Sequence, residues 1–404
     1  MTDGFGRIRI SQPETLFDSS HRFADNGLWV TSNTAGNSSY SFVDNQSMIV
    51  MTVGTTANAE VVRETTKVFS YQPGKSLLIM NSFAMNTPQA NVRQRVGYYG
   101  AENGIYLEND GTTNYFVLRS NTTGTITETK VAQSNWSIDK FDGTGYSAQI
   151  GGTEHGSGID VSKSNILWMD VEWLGVGDVR CGFVVDGRFM PAHIFHNDNV
   201  NLQPYMTTAS LPLRYEIKNT GITSSNSTLK QICSTVISEG GYELTGAQQA
   251  VQTPVATPVD LTNASTYYTL ISLRLKTTPN RLDAIVILTA LSLLGITNNA
   301  VYNWQVRASG TTTGGTWVSA GDNSAVEYKI DGGTITGGRV LASGFTTSTT
   351  QASVPVDILK EALFKFQLER NALTGTPFEL TLCAATQTAG ADIYASMDWE
   401  EVTR

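Results

Sequence analysis

The stretch Ile166–Gly187, Ile-Leu-Trp-Met-Asp-Val-Glu-Trp-Leu-Gly-Val-Gly-Asp-Val-Arg-Cys-Gly-Phe-Val-Val-Asp-Gly, constrains the chain more than any other. It reads as two strands around a Gly-Val-Gly-Asp turn. Folding it about Val176 sets Leu167, Met169, Val171 and Trp173 against Val185, Phe183, Cys181 and Val179. That gives one wholly apolar face, as a half-buried hairpin requires. On the other face Glu172 falls opposite Arg180, a cross-strand pair of opposite charge. A hairpin that leaves one apolar face to be covered calls for a second sheet, and so for a β-sandwich.

The rest of the sequence agrees. Only 16% of its 404 residues are charged, and Gly, Thr, Ser and Asn are abundant, which suits strands and turns. Apolar residues make up 40%, enough for a packed core. A chain of this length predicts two domains. The net charge of −9 and the lack of any basic stripe argue against nucleic-acid binding. Three scattered cysteines, Cys181, Cys233 and Cys383, read as free thiols, with Cys181 on the apolar hairpin face. The longest apolar run, Ala284–Ile296, is too short to span a bilayer, and Met1–Gly6 shows no secretory leader, so synthesis in a cytoplasm is expected.

The expected fold is all-β: two jelly-roll-like β-sandwich domains joined by a Pro/Gln/Thr linker, with an N-terminal arm. Residues 1–30 read as a docking arm, because Phe17, Phe23 and Trp29 are spaced by polar residues without a clean period; such an arm docks on its own domain or on a neighbour. Residues 31–245 hold eleven strand candidates punctuated by Gly, Asp and Asn turns. Residues 246–258 read as a polar, Pro-punctuated linker. Residues 259–404 hold a second β-rich block, with Asp357–Leu363 as a short helix candidate after Pro355.

Several residues invite a chemical reading. Asp170 and Glu172 are two carboxylates on one strand face, roughly 7 Å apart given the strand rise, a spacing compatible with an inverting glycosidase pair; the register alone explains them as a surface ion pair with Arg180. Gly74-Lys75-Ser76 resembles the end of a phosphate loop, but the glycine needed five residues earlier is Phe69, and Leu77-Leu-Ile-Met reads as strand, not helix. His193 and His196, three residues apart, share a face on a helix but not on a strand, and His21 and His155 have no partner in sequence. Tyr98, Tyr99, Tyr106 and Trp317 are candidate sugar-stacking aromatics; core or interface packing is the alternative. No catalytic, metal or cofactor constellation emerges, so a non-enzymatic chain without a cofactor is expected.

A series of motifs runs in order along residues 1–245: Pro13-Glu-Thr-Leu-Phe-Asp, Tyr71-Gln-Pro-Gly-Lys-Ser, Arg95-Val-Gly-Tyr-Tyr with Asn103-Gly-Ile, Gln133-Ser-Asn-Trp-Ser-Ile-Asp-Lys, Ile166–Gly187, Leu211-Pro-Leu-Arg-Tyr-Glu-Ile and Ser238-Glu-Gly-Gly-Tyr. Together they resemble a family of virion structural proteins of tailed bacteriophages of marine and cyanobacterial type. The resemblance implies a building block on the particle surface, in a tail or collar fibre, baseplate or capsid decoration. It implies virion location, other virion proteins as partners, and a symmetric homo-oligomer, a trimer by analogy with phage fibres. The alternative expectation is an adhesin that recognises host surface glycan through Tyr98, Tyr106 or Trp317. Neither reading involves nucleic acid or a membrane.

Overall fold

The structure is a computed structural model that describes residues 11–34, 37–151, 156, 158–331, 333–348 and 363–403. The first ten residues of the expected arm, His155 and residues 357–362 of the helix candidate lie outside the described residues. Two compact units are present, Met1–Glu243 and Leu244–Arg404. Both are antiparallel β; among the described residues the one α-helix is the five-residue Tyr146–Ile150. No helix of the described residues is long and apolar enough to cross a membrane.

In Met1–Glu243, one sheet runs in the order Arg188–Phe195, Val179–Val185, Asn165–Val171, Leu77–Ala84, Ser227–Ser238, Met48–Val53, Ser38–Val43, with Glu14–Ser20 also paired to Ser227–Ser238. The second runs Thr127–Ala132, Asn114–Ser120, Gly104–Asn109, Val92–Tyr99, Leu213–Asn219, Glu60–Thr65, Trp29–Asn33. The inner faces meet in a core that includes Ile79, Phe83, Val96, Ile105, Phe116 and Met169, all fully buried. Burying each such side chain favours folding by roughly 1.5–3 kcal/mol.

The hairpin of Asn165–Val171 and Val179–Val185 forms, but two residues out of the expected register. Leu167, Met169 and Val171 pair with Phe183, Cys181 and Val179, and Asp170 stands opposite Arg180. The expected Glu172–Arg180 pair is therefore corrected to Asp170–Arg180, whose side chains form the ion pair. The turn causes the shift. Its bend centres on Gly175, at φ +85°, and the amides of Val176 and Gly177 both donate to the Trp173 carbonyl. Glu172 is left in the loop, its amide on the Asp178 carbonyl. A two-residue slip preserves which side chains face inward, so alternation alone does not detect it.

The stretch read as an arm supplies two strands of the sandwich. Glu14–Ser20 pairs with Ser227–Ser238, and Trp29–Asn33 pairs with Glu60–Thr65. Phe17 and Trp29 are buried 6.1 Å apart, with Phe17 4.9 Å from Phe69 and Trp29 5.9 Å from Tyr215. Phe23 is 81% exposed. A β-bulge between Thr15 and Phe17 turns the adjacent Leu16 and Phe17 both inward, which destroys the period of two.

In Leu244–Arg404, a six-stranded sheet runs Val318–Ser319, Val326–Ile330, Tyr268–Leu275, Leu380–Thr386, Val301–Ala308, Arg339–Thr347. A four-stranded sheet is built on Ala391–Thr403, which pairs with Ala247–Gln252, Val259–Leu261 and Ile285–Gly295. Leu273, Trp304, Leu382, Met397 and Trp399 belong to the core that these strands share. The stretch 246–258, read as a linker, thus begins as the strand Ala247–Gln252. Of its six side chains only Val251 is buried, so it carries almost no apolar signal.

Candidate functional site

The outer face of the four-stranded sheet carries a groove of about 300 Å³, lined by Gln252, Thr253, Val255, Ser292, Leu294, Tyr394, Ala395 and Ser396. Its construction follows from register, because residues directly opposite in an antiparallel ladder share a face. Met397 pairs with Leu291 and Val251, all pointing into the core. The next residue back, Ser396, therefore points outward between Ser292 and Gln252. Two positions further, Tyr394 stands beside Leu294. The Tyr394 hydroxyl donates to the Val255 carbonyl at 2.7 Å, which fixes the ring as one wall. Thr253 is consumed by the fold: its amide donates to the Ala395 carbonyl at 2.9 Å, and its hydroxyl accepts from the Ala395 amide at 3.0 Å. Leu294 is 41% exposed and Val255 79%, so the groove joins apolar surface to the Ser292 and Ser396 hydroxyls.

One row beyond Ser396 lies Asp398, flanked by Ala290 and Ala250. Its direct partners are thus alanines, while the Gln248 side chain reaches across the strand to the Thr289 hydroxyl at 2.9 Å. Burial lifts the Asp398 carboxyl above its ordinary range. The four strands contain no Lys or Arg, whereas Asp260, Asp392 and Asp398 point outward from the face; Glu400 takes the next outward position but is buried, its carboxylate accepting from the Gly246 amide.

The aromatics singled out in sequence are placed differently. Tyr98 is fully buried in the first unit, its hydroxyl donating to the Ala209 carbonyl at 2.7 Å and accepting from the Leu211 amide at 3.0 Å. It is a core residue, not a surface sugar contact. Tyr106 and Tyr99 lie on the outer face of the seven-stranded sheet but are also fully buried. Their centroids are 4.4 Å apart. Each ring lies over a glycine of the neighbouring strand: a Cβ at Gly97 would come 2.6 Å from the Tyr106 Cβ, and one at Gly104 2.1 Å from that of Tyr99. Guanidinium groups close over them, with Arg95 5.0 Å and Arg119 5.3 Å from the Tyr106 centroid and Arg214 5.4 Å from that of Tyr99.

Carboxylates lock this layer. Arg95 meets Glu108 at 2.6 Å, Arg119 meets Glu128 at 2.7 Å, and Glu216 takes Arg93 at 2.6 Å and Arg214 at 3.2 Å. Burial opposes ionisation of Glu128, but hydrogen bonds from Arg119 and Tyr106 and the charges of Arg95 and Arg119 outweigh it, and its carboxyl is lowered to about 2. The face is thus closed by its own side chains.

Trp317 is half-buried, with the Arg274 guanidinium 4.1 Å and the Lys329 ammonium 4.5 Å from its ring. Glu327 and Glu379 hold those cations at 2.9 Å and 3.5 Å. Its π-face is engaged by protein cations. Asp170 is buried against Arg180 while Glu172 is exposed in the turn, so the two do not form a converging acid pair. Lys75 donates to Gln72 Oε1 at 2.9 Å, and a strand, not a helix, follows. His193 is buried, with Nδ1 accepting from the Ser137 amide, and burial followed by the proximity of His196 lowers it to about 4. His196 is exposed, 2.9 Å from Asp178, and Asp198 lies close enough that the three donor atoms fall within 4.8 Å of one another.

No family model matches the chain, and no curated protein matches it. Among solved structures, the binding domain of botulinum neurotoxin serotype G aligns at 9% identity and TM-score 0.34, over 64% of this chain and 56% of that one, so the chain spans about half of that domain's length. The carbohydrate recognition domain of Emp47p aligns at 9% identity and TM-score 0.34, over 56% of this chain and 96% of that one. Arcelin-5, a lectin-like defence protein from Phaseolus vulgaris, aligns at 7% identity and TM-score 0.34, over 57% and 99%. Likeness at these scores carries no argument about what this chain binds. The family reading is nevertheless corrected: neither a family model nor a curated protein matches the chain that carries its motifs. The reading as a virion structural protein, and the expected assembly with other virion proteins, do not stand.

Proposed function

We propose that the chain is a glycan-binding protein of the adhesin type, and that the groove of the four-stranded sheet receives the sugar. One observation carries the reading: a half-exposed tyrosine ring, fixed through its hydroxyl, walls a groove that also presents hydroxyl and amide groups. A sugar ring has an apolar face of C–H groups and an edge of hydroxyls. It needs an aromatic or aliphatic surface beside hydrogen-bonding groups, which Tyr394, Leu294, Ser292, Ser396 and Gln252 supply together. Holding the tyrosine in place before the ligand arrives lowers the ordering cost of binding. The role is recognition without catalysis.

The test is a glycan array probed with the full chain, followed by calorimetry on the best ligand with wild type and Tyr394→Ala. A ligand whose affinity falls in the variant supports the groove. Binding that survives Tyr394→Ala unchanged places the site elsewhere, and an array without any binding removes the function.

A further inference from the structure

Resting on the glycan-binding reading above, we infer that the groove selects glycans that carry free amino groups, such as oligomers of unacetylated glucosamine. The argument is charge complementarity on one sheet face. Three outward carboxylates, Asp260, Asp392 and Asp398, and no Lys or Arg are supplied by the strands that build it. On the outer face of the seven-stranded sheet, Glu108, Glu128 and Glu216 each have a basic partner. Asp398 has none among the described residues, and it stands one outward position beyond Ser396 of the groove lining.

Its surroundings are shaped to admit a substituent. Its direct partners on the two flanking strands, Ala290 and Ala250, carry only a methyl group each. A glycan resting against Tyr394 runs along the strand, where successive outward positions are about 7 Å apart, so Asp398, two positions on, meets a sugar residue roughly 14 Å along the chain. An ammonium on that residue meets Asp398, and partial burial makes such a pairing worth more than a fully exposed one. An acetyl group there removes the charge. A uronate or a sulfate meets like charge from Asp398 on one side and from Asp392 and Asp260 on the other.

The test is titration calorimetry of the full chain with three hexamers: glucosamine, N-acetylglucosamine and galacturonic acid. The amino hexamer is expected to bind about tenfold more tightly than the acetylated one at low salt, with the gap shrinking at high salt. The acidic hexamer is expected not to bind. Asp398→Asn should bring the amino hexamer close to the acetylated one. Ala250→Lys, on an exposed edge position opposite Asp398, should do the same and guards against a folding defect in the first variant. Equal affinity for amino and acetylated hexamers, both weakened by Tyr394→Ala, would overturn the charge preference and leave the glycan reading intact. No binding of any hexamer would overturn both. Hexalysine bound as tightly as the amino hexamer, with neither weakened by Tyr394→Ala, would show charge attraction alone and overturn the inference.

Discussion

Two outer sheet faces of this chain are made from similar residue types and have opposite character. On the seven-stranded sheet of Met1–Glu243, Tyr99 and Tyr106 lie under three arginines that are themselves held by glutamates. On the four-stranded sheet of Leu244–Arg404, Tyr394 stands half-open beside hydroxyls, and Asp398 has no cation among the described residues. Accessibility, not composition, separates them. Gly97 and Gly104 allow rings to lie flat across the strands in the first case, whereas Tyr394 in the second is flanked by Leu294 and stands up as a wall. A closed face contributes to stability and little to recognition. An open one costs some stability and is available to a ligand.

The sharpest way to break the closed face is Glu216→Ala. Glu216 is buried and accepts from Arg93 and Arg214 while Arg95 stands 3.7 Å away, so truncation strands several guanidinium groups in a desolvated layer. A loss of about 3–5 kcal/mol is expected, read by urea denaturation. A loss below about 1 kcal/mol would mean that water already reaches this layer and that the face is not closed.

Acid distinguishes the two faces next. Glu128 has a folded-state pKa of about 2 against an ordinary value of 4.5. Its stabilisation is therefore complete above pH 4.5 and is lost as the pH falls from there towards 2. The expected loss is roughly 2–3 kcal/mol across that window. Glu128→Gln should flatten this part of the stability profile; an unchanged profile would show that another group carries it. At the open face, Tyr394→Ala is expected to weaken glycan binding about tenfold, or ~1.4 kcal/mol, while leaving the pH profile of the first unit alone.

Alternation made the framework legible from sequence. Val92–Tyr99, Val179–Val185 and Tyr268–Leu275 are found with the bounds that the pattern predicts. The failures have local causes. The bulge at Thr15–Phe17 hid Glu14–Ser20, and the nearly all-polar edge of Ala247–Gln252 imitated a linker. Tyr98 and Tyr106 read as exposed because a tyrosine on either face of a strand gives the same pattern; which face is capped depends on glycines and arginines in neighbouring strands. The groove was missed although it left a trace. Asp392, Tyr394, Ser396, Asp398 and Glu400 alternate with Ile393, Ala395, Met397 and Trp399, and the four strands of that sheet lack any basic residue. The first half of that signal lies within one segment. The second appears only once the strands are known to be neighbours.

The smallest expected effect concerns Asp398 and runs opposite to that at Glu128. Burial raises its carboxyl in the folded state, so its protonated form is the one the fold prefers. The contribution is present below the ordinary carboxylate range and is lost as the pH rises through the folded-state value, leaving a mildly unfavourable charge at neutral pH. Asp398→Asn removes that charge with nearly the same shape. A small gain in thermal stability at neutral pH is expected, shrinking towards acid, alongside the loss of preference for amino glycans. A variant that is less stable at neutral pH would show instead that the carboxylate accepts a hydrogen bond the fold depends on. Asp398 would then be a structural group like Glu216, and the contrast between an open and a closed face would fail at the residue where it is most exacting.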